Sequence, residues 1–189
     1  MKLNDPLVTS FIYKDQEYDI DLSFDTVLDV FDVLEDKKLR DYEKAEINVE
    51  LLLGESFELT EAVEIWNYIY ESFIEFKSKK PVEYDLKGNP MPVIEDDEDE
   101  RHLDINHDAE YIYSSFQQAY GMNLYEQQGK LHWHEFKALL NGLPSNTIMQ
   151  RIIQIRSWKP SKGDSGEYKQ QMRELQKVYA LPEVEEVEE

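Results

Sequence analysis

The sequence predicts a mainly α-helical protein with a short N-terminal β-hairpin and an acidic disordered tail. Apolar residues recur at every third or fourth position over most of the chain, which is the period of an amphipathic helix. With 189 residues, of which 41% are hydrophobic, the chain is long enough to bury a core. We therefore expect one compact multi-helix domain over residues 1–182, followed by the acidic tail 183–189.

The first predicted elements are the hairpin over residues 10–21 and three helices. β-Favouring residues flank a polar turn in the hairpin. Ser23 is the expected N-cap of the first helix, and Gly54 suits the left-handed position that ends the second. The third helix begins at Leu59, and its apolar stripe extends to Phe76.

The helical period is lost over residues 81–104, which we interpret as an acidic loop. This segment contains prolines, a glycine and the uninterrupted acidic run Glu95–Glu100. The period returns after Asn106, the expected N-cap of a helix that ends at Gly121.

A helical hairpin is predicted over residues 131–158. A Gly-Leu-Pro sequence at 142–144 separates its two helices, and Ser145 is the expected N-cap of the second. A mostly polar helix over residues 167–179 follows. It places three apolar side chains on one face: Met172, Leu175 and Val178.

The formal net charge of −21 is unevenly distributed. Residues 1–110 hold 31 acids and 11 bases, whereas residues 111–182 hold five acids and nine bases. So negative a chain is expected to bind neither nucleic acid nor an anionic membrane, because like charges repel. The asymmetry favours head-to-tail contact between copies; the alternative is two separately solvated surfaces.

The chain lacks the residue patterns of common catalytic sites. It has no cysteine and no Gly-x-Ser-x-Gly sequence, which disfavours nucleophilic catalysis and fits a reducing cytoplasm. The Gly-Asp-Ser-Gly sequence at 163–166 is interpreted as a linker, because no strand precedes it. His132 and His134, two positions apart on a predicted helix, are expected to point in different directions. We expect no enzymatic activity, no cofactor and no metal site.

The three tryptophans have different surroundings. Trp66 and Trp133 lie on apolar stripes, so packing in the core is the favoured interpretation for both. Trp158 follows Arg156 and precedes Lys159 at the end of a helix, a setting typical of an interface anchor. Burial against its own domain is the alternative for Trp158.

Three segments between residues 108 and 156 resemble the gene product 15 family of long-tailed bacteriophages and prophages of Gram-positive hosts. They are DAEYIYSSFQQAYG at 108–121, LHWHEFKALLNGLP at 131–144, and the pair Ile155-Arg156. Similarity around residues 23–24 and 39–53 extends the resemblance over about residues 22–159.

The resemblance implies a helical tail assembly chaperone that binds the phage tape measure protein and self-associates in the host cytoplasm. Such proteins are absent from the finished virion. We expect client contact through Trp133, Phe136 and Leu140, with Arg156 and Trp158 at the rim. The alternative function is an acidic phage protein that imitates DNA and acts as an inhibitor or adaptor of a host protein.

Overall fold

The structure is a computed structural model that describes residues 4–74 and 102–182. The predicted fold class is confirmed, because these residues form seven α-helices and a two-stranded N-terminal hairpin. Most of the predicted loop 81–104 and the whole predicted tail 183–189 lie outside the described residues.

The described residues divide into two compact units. The first contains residues 4–74 and 125–139, and the second contains residues 102–124 and 140–182. The assignment of residues 1–182 to a single domain stays a prediction.

The hairpin pairs Ser10–Tyr13 (β1) antiparallel with Gln16–Asp19 (β2). Both residues of its turn, Lys14 and Asp15, have positive φ, as a tight two-residue hairpin turn with right-handed twist requires. Phe11 lies opposite Tyr18, and their rings stack at 5.7 Å. These two buried rings direct one face of the hairpin into the first unit.

Three helices complete the N-terminal part of the first unit: Phe24–Glu35 (α1), Asp41–Leu53 (α2) and Leu59–Ile69 (α3). Ser23 is the N-cap of α1, although its hydroxyl bonds to Thr26 rather than to a backbone N–H. Gly54 ends α2 with φ 69°, as predicted. The third helix differs from the prediction, because after Ile69 it continues as a π-helical turn, Tyr70–Ile74.

A short bridge joins residues 131–133 to the start of α1. The N–H of Phe24 donates to the carbonyl of Leu131 at 2.9 Å, and the N–H of Trp133 donates to the carbonyl of Leu22 at 2.7 Å. Helix α5, which is preceded by this bridge, spans Trp133–Asn141. The bridge therefore fixes the start of α5 beside the start of α1.

The second unit is built on Ala109–Tyr120 (α4), Ile148–Arg156 (α6) and Gly166–Val178 (α7). The predicted caps Asn106 and Ser145 are wrong: Asp108 and Thr147 precede the two helices. Both caps are completely buried. Asp108 is held by the distant Arg156, and the hydroxyl of Thr147 donates to the carbonyl of Pro144 in the preceding turn.

Helices α4 and α6 pack together through a polar contact at the start of α6. The N–H of Met149 donates to the hydroxyl of Ser115 at 3.1 Å, which satisfies an N-terminal donor of α6. Gly121 ends α4 with φ 62°, as predicted. Helices α5 and α6 occupy most of residues 131–158, and their packing as a hairpin stays a prediction.

Candidate partner-binding surface

The structure buries the side chains of four of the five predicted partner-binding residues. Trp133 and Phe136 lie in the core of the first unit, and Leu140 and the side chain of Arg156 are buried in the second. Trp158 is half-buried. Partner binding by these five residues stays a prediction, whereas the core-packing interpretation of Trp133 is confirmed.

Trp133 and Phe136 belong to a cluster of four aromatic rings that links α5 to α1. Phe136 stacks on Phe24 with ring centroids 5.0 Å apart, and Trp133 lies 5.7 Å from Phe136. Phe31 meets the Trp133 ring edge-on at 5.6 Å. These are favourable separations for aromatic pairs. The two predicted site residues therefore stabilise the first unit.

Arg156 is held by a buried ion pair in the second unit. Its guanidinium donates to both carboxylate oxygens of Asp108 at 2.6 and 2.7 Å, and Asp108 is completely buried. The same guanidinium donates to the carbonyls of His102 and Tyr179. Arg156 thus connects the start of α4, the end of α6 and the end of α7.

Polar contacts attach helix α7 near its C-terminal end. The side-chain amide of Gln176 donates to the carbonyls of Ile155 and Trp158 at 3.0 and 2.9 Å. The Trp158 ring meets the Tyr168 ring edge-on at 5.9 Å. Trp158 is therefore partly buried against its own unit and partly exposed at the edge of α7.

The outer face of α7 is the candidate partner-binding surface. None of its residues is buried, although its apolar and polar side chains are segregated. Tyr168 is 43% exposed and Val178 is 73% exposed. The prediction that Val178 shares one face with Met172 and Leu175 is wrong, since those two are half-buried and Val178 is turned outwards. An amphipathic helix that leaves this much side chain exposed is typical of an interaction surface.

Comparison with protein families assigns the chain to one family. A family model described as Bacteriophage Gp15 protein matches residues 3–181. The chain belongs to this family. Searches of curated proteins and of solved structures found no match.

The Gp15 family match confirms the resemblance read from residues 108–156 and extends it over almost the whole chain. It covers both compact units, with α7 and every residue of the Arg156 network. The chain is therefore a bacteriophage protein. The acidic residues 183–189 follow the matched span.

A second surface feature of this Gp15 family protein is a cleft of about 340 Å³ in the first unit. His132 and His134 line it, with ring centroids 5.2 Å apart. The expectation that they point apart is wrong, because His132 precedes the helix rather than lying on it. Nδ1 of His132 accepts from the N–H of His134, and Nε2 lies 3.1 Å from the carbonyl oxygen of Val8.

The contacts of His132 fit a neutral ring with its proton on Nε2. Burial lowers the pKa of His134 to about 4, and the charge of Lys137 adds to the effect. Within the described parts of this Gp15 family chain, no group of three histidine, aspartate or glutamate side chains is placed to hold a metal ion. None of the helices described there is long and apolar enough to cross a membrane.

Proposed function

We propose that this protein is a non-catalytic tail assembly chaperone, which binds the tape measure protein and self-associates in the host cytoplasm without entering the finished virion. The family match over residues 3–181 carries the proposal. The exposed face of α7 supports it, because a helical client needs an amphipathic surface on which to dock.

The proposed client contact centres on Trp158 and the adjacent surface of α7. Trp158 is the one half-buried side chain among the five predicted residues, and it lies against Tyr168. Aromatic side chains beside an accessible edge are frequent anchors of protein interfaces. Trp133, Phe136, Leu140 and Arg156 would act indirectly, by holding the two units in shape.

Co-expression with the tape measure protein of the same phage tests the proposal. Affinity purification followed by light scattering should give a soluble complex with several copies of this chain per client. Trp158→Ala should reduce the client recovered by about tenfold, as expected for an interface anchor. Tyr125→Ala is the matched control, since Tyr125 is a 72% exposed aromatic residue of the first unit.

Two results would contradict this assignment. If client recovery is unchanged by Trp158→Ala while circular dichroism shows an intact fold, the α7 edge is not the client site. If no client co-purifies with the wild-type protein, client binding itself is rejected.

The alternative is an acidic DNA mimic that inhibits or recruits a host protein. It is favoured by one observation, the concentration of 31 acids in residues 1–110. A pull-down from host lysate distinguishes the two functions. Recovery of DNA-binding proteins that DNA displaces would support the mimic, whereas recovery of the tape measure protein from infected cells would support the chaperone.

A further inference from the structure

Helix α7 carries a basic stripe of three side chains: Lys169, Arg173 and Lys177. They are four residues apart, so they share one side of the helix over about 12 Å. Within residues 4–74 and 102–182, none of these side chains makes a hydrogen bond or an ion pair. The carboxylate of Glu174 lines the same surface and accepts from Gln170, so the surface keeps a net positive charge in a chain of net charge −21.

Helix α1 carries an acidic stripe of four side chains: Asp25, Asp29, Asp32 and Asp36, its C-cap. Their spacing of three and four residues places them on one side, opposite the buried Val27 and Val30. Asp29, Asp32 and Asp36 are exposed, whereas Asp25 is half-buried and accepts from the N–H of Gly129 at 2.9 Å. The exposed part of the stripe extends over about 10 Å, which is close to the length of the basic stripe of α7.

The acidic stripe is electrostatically unfavourable within its own helix. Carboxylates four residues apart repel each other, and acids at a C-terminal end oppose the helix dipole. The last turn of α1 has no basic residue of its own, although the ammonium of Lys44 on α2 donates to the carbonyl of Leu34 there at 2.7 Å. A basic surface along this face would reduce the repulsion between the carboxylates.

We propose that the basic stripe of α7 in one copy binds the acidic stripe of α1 in a second copy. The proposal rests on the self-association part of the proposed function, and its test does not require the client. The two stripes have opposite sign, similar length and regular helical spacing. Because the contact joins different surfaces, each bound copy still offers one stripe to the next, which produces a ring or an open chain.

Charge reversal tests this contact. Lys169→Glu/Arg173→Glu/Lys177→Glu makes α7 acidic, and Asp29→Lys/Asp32→Lys makes α1 basic. Each variant alone should associate about tenfold more weakly than the wild type in sedimentation velocity at about 0.05 M salt. An equimolar mixture should regain association, since each variant then supplies the charge that the other lacks. Mixing cannot restore a contact made within one chain.

The matched control for the α7 variant is Arg151→Glu/Lys159→Glu/Lys162→Glu, which makes the same change in net charge on other basic side chains of the second unit. It should associate like the wild type. Equal weakening in this control, or a mixture that stays dissociated, overturns the proposal. Circular dichroism of each variant verifies its fold, and the mixture reports on the contact even where one variant is less stable.

Two further outcomes separate this inference from its competitors. If removal of residues 183–189 abolishes salt-sensitive association while reversal of α1 has no effect, that acidic segment is the true occupant of the stripe. If the wild type is monomeric at every salt concentration, self-association fails together with this contact, while client binding is still judged by co-expression.

Discussion

The guanidinium of Arg156 makes a buried, two-bond ion pair with Asp108 in the second unit. Removal of Arg156 leaves the completely buried carboxylate of Asp108 without its cation. We expect Arg156→Ala to lower the free energy of unfolding by about 3–5 kcal/mol, because an uncompensated buried charge is costly. Arg151→Ala, an exposed arginine on the same helix, should change it by less than about 0.5 kcal/mol in the same urea titration. Similar losses for the two variants would show that the ion pair contributes little.

Asn48 is a completely buried side chain on α2 whose amide oxygen and nitrogen have no hydrogen-bond partner within the described residues. Replacement of this unsatisfied amide by alanine, a better helix former, should stabilise the protein. We expect Asn48→Ala to raise the free energy of unfolding by about 1 kcal/mol. The adjacent truncation Val49→Ala should lower it by about 1–2 kcal/mol, since it leaves a cavity. A loss with Asn48→Ala would indicate that a buried water satisfies the amide.

His134 should make stability depend on pH. Burial lowers its pKa from 6.5 to about 4, with a contribution from Lys137, so the unfolded chain takes up the proton first. Protonation therefore favours unfolding, and stability is lost as the pH falls from about 6.5 to about 4. Because the ring is only half-buried, we expect a loss of about 1 kcal/mol. His134→Gln should show a shallower decline over this range, and an identical slope would contradict the assignment.

At the scale of elements, the ends of α2 and α4 at glycines were predictable, because the left-handed conformation that ends a helix depends on the residue at that position. Gly121→Ala should lower the free energy of unfolding by about 1 kcal/mol, since it forces a side chain into the left-handed region. Gly166→Ala is the control, because Gly166 is in the first turn of α7 with open space at its Cβ position. It should be neutral or slightly stabilising in thermal denaturation. Equal losses at both positions would show that backbone conformation is not the cause.

The starts of helices were less predictable than their ends. Asn106 and Ser145 are good capping residues, yet Asp108 and Thr147 precede α4 and α6. Asp108 is fixed by Arg156, which is 48 residues away, and no local pattern encodes that separation. For the same reason, the sequence did not predict the bridge between residues 22–24 and 131–133. Without that bridge, the position of His132 outside the helix was not predictable either.

The candidate site was predictable only in part. Aromatic residues on helical stripes gave the correct interpretation for Trp133, because burial follows from periodicity. Exposure of the α7 face was not evident, since Met172, Leu175 and Val178 have the spacing of a buried stripe although Val178 is turned outwards. The spacing of Lys169, Arg173 and Lys177 was a visible signal for the basic stripe.

At the scale of the whole molecule, the net charge of −21 opposes compaction. Screening should relieve that repulsion, so we expect the urea midpoint of unfolding to rise when sodium chloride is increased from about 0.02 to about 0.2 M. Measurement at low protein concentration separates this effect from self-association, which salt should weaken. A midpoint that falls with salt would show that attractive ion pairs outweigh the repulsion.

The Arg156 network also sets an order of events during protein synthesis. Asp108 leaves the ribosome 48 residues before the arginine that neutralises it, and Tyr179 follows 23 residues after that arginine. At bacterial elongation rates of about 5–20 residues per second, the carboxylate waits roughly 2–10 seconds for its cation. The first unit ends at residue 139, so all of its residues are synthesised before Arg156. Each nascent chain therefore presents a finished N-terminal unit, with the acidic stripe of α1, before its own α7 exists to meet a neighbour.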